Sequence, residues 1–372
     1  MLKGKNFLYF TLALIFAFCS LYYVPHALTV SGKAAVLIEA DSGEVIYEKN
    51  ADLRLPMAST TKIMTAIVAI ENNRLDEVVK IPKEAVGIEG SSIYLTEGEQ
   101  LTVDELLHAL LLESANDASV ALAIKTCGDV SNFAELMNKK ASELGLENTC
   151  FTNPHGLDDE NHYTSANDLA KITAYALKNP VFAKIVSTFK KTIPLNNGEG
   201  TRVLINHNKL LRSYDGATGV KTGFTRRCGR CFVSSAERDG VKLICVTLNA
   251  PNDWRDHTSL LDYGFERYTS VNLASEGDYL LELNVKNGQQ STVKASNNQP
   301  LRVTLKKDDI NISAVADNKP LSAPISKGDK VGEIVFYNND EKIGAIDLFA
   351  LENIKEIKHK NFFERLFTNG KD

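Results

Sequence analysis

The regular patterning of this chain begins at residues 34–47, where two apolar runs flank Asp41-Ser42-Gly43. Turn residues between two apolar runs predict a β-hairpin. After Pro56 comes Ile63-Met64-Thr65-Ala66-Ile67-Val68-Ala69-Ile70, apolar on nearly every side. Such a run is a buried helix or a buried strand. Residues 75–100 are irregular and punctuated by Gly87, Gly90 and Gly98. From 102 to 112 the leucines and Val103 recur at three- and four-residue steps, the helical period. Glu113-Ser114-Ala115-Asn116-Asp117 interrupts that period with capping residues, and it resumes over 118–124. Further helices are predicted at 131–144, at 169–177 behind Ser165, and at 257–268. Residues 153–157 read as a turn. Strand-like runs occupy 191–195, 201–205, 231–237 and 241–249, the last two joined by Arg238-Asp239-Gly240.

Beyond residue 270 the texture changes. Short alternating runs at 279–285, 301–305, 330–337 and 342–348 are broken by Asn, Gly, Asp and Pro. They predict a small β-sandwich or barrel, a spacer or docking module without candidate chemistry. Over 353–369, Ile354, Ile357, Phe362, Phe363, Leu366 and Phe367 alternate with Lys355, Lys358, Lys360 and Arg365. This basic, aromatic, amphipathic pattern predicts a C-terminal helix that lies on an anionic membrane surface, or else packs on its own domain. At the other end, Lys3 and Lys5 precede an apolar run over 7–23 and then Pro25-His26-Ala27. That order is an export signal, with a short membrane anchor as the alternative. The chain thus divides into a signal peptide (1–30), a large domain of mixed helices and strands (31–268), a small β domain (269–352) and the amphipathic helix (353–372). The expected location is extracytoplasmic, on the outer face of the cytoplasmic membrane or secreted.

Composition narrows the function classes. The 372 residues leave room for two or three domains, and 44% hydrophobic with 24% charged residues is ordinary for a globular protein. A formal net charge of -5 argues against nucleic acid as a partner. Setting Cys19 aside with the signal, Cys127, Cys150, Cys228, Cys231 and Cys245 are odd in number, against a complete disulfide framework. Cys228-Gly-Arg-Cys231 has C-x-x-C spacing but no second ligand pair and no thioredoxin-like context, so these read as structural thiols.

The candidate chemistry starts at Ser59-Thr60-Thr61-Lys62. On a helix, residues three apart share a face, so the hydroxyl and the amine stand side by side. A serine beside a lysine that burial has stripped of its proton is an activated nucleophile. By chance S-x-x-K should occur about once or twice in such a length, and it also occurs at Ser187 and Ser291. Ser187 runs into a lysine pair and Pro194, and Ser291 lies in an exposed alternating run. Only Ser59 heads an apolar helical run. Ser114 and Asn116 sit between two apolar helices, where polar side chains form a plain cap or point, hydrogen-bonded, into a cavity. Lys221-Thr222-Gly223 occurs once, on or just before the first strand of an antiparallel meander, at an open edge.

In order, S-x-x-K, S-D-N and K-T-G form the signature of penicillin-binding proteins and class A β-lactamases, and Ser114-Ala115-Asn116 stands here at the second place. Four phrases extend the likeness: Leu55-Pro56-Met57-Ala58-Ser59-Thr60-Thr61-Lys62, Ser114-Ala115-Asn116-Asp117-Ala118, His155-Gly156-Leu157, and Gly219-Val220-Lys221-Thr222-Gly223-Phe224-Thr225. Over about residues 33–350 the chain resembles the low-molecular-mass penicillin-binding proteins that are serine-type D-alanyl-D-alanine carboxypeptidases. The resemblance implies an α+β fold of the β-lactamase/transpeptidase type, a five-stranded antiparallel sheet between helices plus a helical lobe. It implies a peptidoglycan stem peptide as substrate, β-lactams as covalent inhibitors, and no cofactor or metal.

The resemblance also implies roles. Ser59 is the nucleophile and Lys62 its base. Ser114 passes the proton to the leaving D-alanine, and Asn116 holds the substrate's peptide group. Lys221 and Thr222 take the terminal carboxylate. Gly223 leaves room for the substrate backbone, and the N–H groups of Ser59 and Phe224 receive the oxyanion. Ala115 stands where a class A β-lactamase has Asp, and no E-x-x-L-N segment follows, so a true β-lactamase is not expected. A transpeptidase or endopeptidase on the same fold is the alternative activity. A zinc D,D-peptidase would need two histidines and an acid, and His155 with His162 is the only close histidine pair.

Overall fold

The computed structural model describes residues 28–195, 198–317 and 319–357. The first hairpin forms as the pattern predicts, from β1 (Ala34–Glu39) and β2 (Val45–Lys49). Three more strands join it: β3 (Ala217–Thr225), β4 (Gly229–Arg238) and β5 (Val241–Leu248). The sheet order is β2-β1-β5-β4-β3, antiparallel throughout, which leaves β3 at an edge.

Both faces of this sheet are covered, and side-chain alternation divides them. Ala34, Val36, Ile38, Val233, Ile244, Val246 and Leu248 join the core under the helical lobe. Ala35, Leu37, Phe232, Leu243 and Cys245 join a second core with Leu260 and Leu261 on the opposite face. Two-sided burial explains why β1 and β5 read as near-continuous apolar runs rather than alternating ones.

The helical lobe is built from α1 (Lys62–Asn72), α2 (Val103–Leu112), α3 (Asn116–Cys127), α4 (Val130–Glu143), α5 (Ala166–Leu177) and α6 (Pro180–Ser187). The first of these is buried from Lys62 through Ala69. A helix apolar on all sides belongs in the middle of a domain. Each large side chain buried there is worth roughly 1.5–3 kcal/mol, and Ile63, Met64 and Ile67 are such residues. At the start of α2 sits a capping box: Thr102 Oγ1 accepts from Glu105 N–H (3.2 Å) and Glu105 Oε2 from Thr102 N–H (2.7 Å). Ser165 caps α5, as its sequence position indicates.

Several boundaries differ from the sequence reading. The helix expected at 257–268 is α7 (Asp253–Arg267), four residues earlier at its start. Its first turn is polar because Asp256 faces inward and accepts from Ser31 N–H (3.0 Å), Ser31 Oγ–H (2.6 Å) and Gly32 N–H (3.2 Å). Asn116 itself opens α3, ahead of Ala118. The short α6 is missed by periodicity, although Asn179 caps it and Pro180 occupies its first position.

From Tyr268 to the end of the described residues the chain is all β. A six-stranded sheet and a two-stranded one enclose a core containing Val293, Phe336, Leu348 and Ile354. The helix expected from 353 does not begin there. Residues 353–357 are extended: Ile354 N–H donates to Ile325 O (2.8 Å), and Ile325 N–H returns the bond (2.9 Å). Ile354 is almost fully buried and Ile357 is exposed, so the apolar spacing here serves a bridge and not a helix face. The remainder of that predicted helix, and residues 1–27 of the predicted signal, lie outside the described residues. Among the described residues no helix is long and apolar enough to cross a membrane.

Candidate active site

Ser59 sits in a one-turn 3-10 segment, Ala58–Thr61, that leads directly into α1. Sharing a helix face brings Lys62 Nζ to 3.1 Å from Ser59 Oγ. The same nitrogen lies 2.6 Å from Asn116 Oδ1 and 2.6 Å from the His155 carbonyl oxygen. These partners suit a free amine. All three oxygens can accept from the lysine, and of the three only the Ser59 hydroxyl can also donate to it when the amine is neutral.

The electrostatics point the same way. Lys62 is wholly buried, and burial drives its pKa well below the usual lysine value. Repulsion from Lys221 lowers it further, and Asp117 opposes the shift. Burial lowers Lys221 as well, to about 7, while Glu113 pulls it back up. Two buried amines that repel each other do not both hold a proton readily. The pull of Glu113 favours the charged form of Lys221, and the strong lowering at Lys62 favours its neutral form.

Asn116 is fixed from three sides. Its backbone N–H donates to Ser91 O (2.7 Å), its Nδ2 to Glu89 O (2.5 Å), and its Oδ1 accepts from Lys62. Ser114, two residues earlier, has φ 60. Ala58, preceding the nucleophile, has φ 47. Two non-glycine residues in the left-handed region flank the same small volume, the kind of backbone strain that functional sites retain.

The third segment arrives on the edge strand. Lys221, Thr222, Gly223 and Phe224 all lie on β3, as the meander pattern predicted. Ser59, Ser114, Thr222, Gly223 and Phe224 line one cleft of about 900 Å³. Lys62 and Asn116, linked to the Ser59 hydroxyl through the Lys62 amine, and Lys221, next to Thr222, are buried. Gly223 has a further role beside the expected one. A Cβ there would meet the nucleophile's turn, 3.0 Å from Ser59 N and 3.1 Å from Thr60 N. Its missing side chain therefore lets the edge strand close on Ser59.

Residues that sequence reasoning missed supply the frame. The carbonyls of Glu89 and His155 hold Asn116 and Lys62, and backbone atoms leave no side-chain signature. Glu113 accepts from Ile205 N–H (2.6 Å) and pairs with His207 (3.3 Å). Asp117, fully buried, accepts from Ser92 Oγ–H (2.6 Å) and Leu95 N–H (3.0 Å) and so ties the loop over the cleft to α3. Gly156, noted only within a phrase, has φ +85 and packs so tightly that a Cβ would fall 1.9 Å from Ala58 O. His155 and His162 have separate partners: Leu157 N–H donates to His155 Nδ1 (3.2 Å), and His162 Nε2 bonds Thr61 Oγ1 (2.7 Å). The five described cysteines are all free thiols. Ser187 closes α6 and Ser291 lies outside a strand, both exposed and without such company.

The two glycines separate fold from activity. Gly156→Ala forces a Cβ onto backbone at positive φ, and a loss of about 3 kcal/mol or more is expected, read as a fall in Tm. Gly223→Ala needs shifts of only a few tenths of an ångström. It is expected to keep Tm within a few degrees while slowing Ser59 acylation roughly tenfold, because small displacements of reacting groups are costly. Equal effects of the two substitutions on Tm would refute this contrast.

Comparison with known proteins agrees with this geometry. A family described as D-alanyl-D-alanine carboxypeptidase matches residues 23–252, and one described as penicillin-binding protein 5, C-terminal domain, matches 268–356. The D-alanyl-D-alanine carboxypeptidase DacF of Bacillus subtilis is 35% identical over 344 residues, which cover 90% of this chain and 88% of that protein. Penicillin-binding protein 5 from Haemophilus influenzae has a similar structure, with TM-score 0.70 and 30% identity, covering 88% of this chain and 98% of its own. A Streptomyces K15 DD-transpeptidase is similar over 64% of this chain and 99% of its own, with TM-score 0.61 and 35% identity. By family match, sequence identity and fold alike, the chain belongs to the D-alanyl-D-alanine carboxypeptidases, penicillin-binding peptidases of the serine type.

Proposed function

We propose that this enzyme releases the terminal D-alanine of peptidoglycan stem pentapeptides through an ester on Ser59. The observation that carries the reading is the buried Lys62 amine, 3.1 Å from Ser59 Oγ and held by two carbonyl oxygens. Lys62 takes the Ser59 proton as Oγ attacks the penultimate carbonyl. The developing oxyanion is received by the N–H groups of Ser59 and Phe224. Asn116 orients the peptide group, and Lys221 with Thr222 anchors the terminal carboxylate. Ser114 returns a proton to the leaving amine, D-alanine departs, and water then hydrolyses the ester. A β-lactam acylates the same Ser59 Oγ as its ring C–N bond opens, and the resulting ester inhibits.

The catalytic unit is read as 31–268, with 269–352 as its spacer. The signal-like stretch 1–30 supports export, and the basic, aromatic sequence beyond 357 supports attachment to a membrane surface. Likeness to a DD-transpeptidase supports a second reading, transfer to an amine instead of water. The products distinguish them: free D-alanine without cross-linked peptide supports hydrolysis. The central test is mass spectrometry after incubation with benzylpenicillin. One adduct is expected, on the peptide containing Ser59. No adduct, or an adduct on another serine, overturns the assignment.

A further inference from the structure

The edge strand ends in a hairpin tip that the reaction scheme leaves unused. Thr225 pairs with Gly229, and residues 226–228 form the turn. The turn is braced from below. Thr225 Oγ1 donates to Asp158 Oδ1 (2.9 Å) and accepts from Cys228 N–H (3.0 Å), and Cys228 Sγ also reaches Asp158 Oδ1 (3.4 Å). Asp158 belongs to the loop whose Gly156 presses on Ala58 O, next to the nucleophile. The tip is therefore held against the Ser59 side of the cleft. Arg226 and Arg227 project from it, both exposed, and neither has an ion pair or hydrogen bond among the described residues. Asp158, the acid that braces the turn, has one oxygen occupied by Thr225 and Cys228.

Substrate direction follows from the function proposed above, and this inference rests on that reading. With the terminal carboxylate at Lys221 and Thr222 and the scissile carbonyl at Phe224 N–H, the peptide runs along β3 from its C-terminus toward Thr225. An extended peptide added to a sheet edge advances about 3.3 Å per residue. The residue preceding the acyl D-alanine then comes opposite the end of the strand, and its side chain meets the tip. We propose that Arg226 and Arg227 select donor peptides in which that residue carries a side-chain carboxylate. Two unpaired guanidiniums favour a carboxylate over an amide or an ammonium group, and a pair offers forked hydrogen bonds as well as charge.

The test compares acetyl-L-Glu-D-Ala-D-Ala, acetyl-L-Gln-D-Ala-D-Ala and acetyl-L-Lys-D-Ala-D-Ala as substrates of the full chain. Wild type is expected to prefer the glutamate peptide in kcat/KM by roughly tenfold, a preference that shrinks with added salt. The Arg226→Ala/Arg227→Ala double variant is expected to bring the three peptides to parity while labelling with benzylpenicillin at the wild-type rate. Equal wild-type rates, or a double variant that keeps the preference, overturns the assignment of the arginines. Intact Ser59 labelling alongside such a result leaves the catalytic reading standing. Absence of Ser59 labelling in wild type defeats that reading and this inference with it.

Discussion

Replacing Lys62 with methionine is expected to slow D-alanine release and penicillin acylation by roughly 10³-fold or more, the loss of a positioned general base acting on a weak nucleophile. The fold should survive. Asn116 Oδ1 and His155 O lose their donor, at roughly 1–3 kcal/mol each for a buried acceptor left unpaired. Removing an amine from a fully buried position returns a comparable amount, because a buried ionisable group is poorly solvated. Tm is therefore expected to move by only a few degrees while activity collapses. The pH profile adds a check. Because the Lys62 pKa is lowered, acylation by wild type should rise as the amine deprotonates and remain substantial at neutral pH, where an ordinary lysine would be inactive. Acylation of the methionine variant within tenfold of wild type would sink the role assigned to Lys62.

Much of this arrangement is legible before any coordinates. S-x-x-K heading an all-apolar run places Ser59 and Lys62 together, since helix geometry fixes residues three apart. Lys221 and Thr222 are placed on an edge strand by the meander that follows them. What the sequence conceals is partnership between distant backbone atoms. Nothing in Glu89 or His155 announces that their carbonyls hold Asn116 and Lys62. Gly223 is expected to make room for substrate because an edge-strand glycine commonly does so, and nothing in the sequence shows that the Ser59 turn also lies against it. At the C-terminus, the spacing of Ile354 and Ile357 fits a helix as well as an extended bridge. Only Ile325, far away in sequence, decides between them.

Mild acid should also destabilise the protein, and part of that response reaches the catalytic turn through His162. Burial lowers the pKa of His257 to about 3 and of His162 to about 4, from an ordinary 6.5. Both hydrogen-bonding partners of His257, Ser234 Oγ (2.6 Å) and Thr247 Oγ1 (2.9 Å), are hydroxyls that suit either protonation state, so desolvation alone sets its shift. His162 is constrained by geometry too. Thr152 N–H donates to its Nδ1 (3.0 Å), so the proton must sit on Nε2, which donates to Thr61 Oγ1 (2.7 Å). Thr61 in turn donates to Ala58 O (2.8 Å), the residue before Ser59. A second proton on Nδ1 would face Thr152 N–H and break this chain. Below pH 6.5 the unfolded chain takes up a proton at each histidine and the folded chain does not. Stability is therefore full above 6.5 and falls as pH approaches 4, by about 1.4 kcal/mol per pH unit for each ring. Urea midpoints measured from pH 7.5 to 5.0 should show the decline, and His257→Gln should flatten it by about one proton. Because His162 bonds the turn itself, His162→Gln should both reduce the slope and slow acylation at pH 7.5, whereas His257→Gln should leave acylation unchanged. A pH slope unaltered in both variants would show that carboxylates, not these rings, set the acid limit.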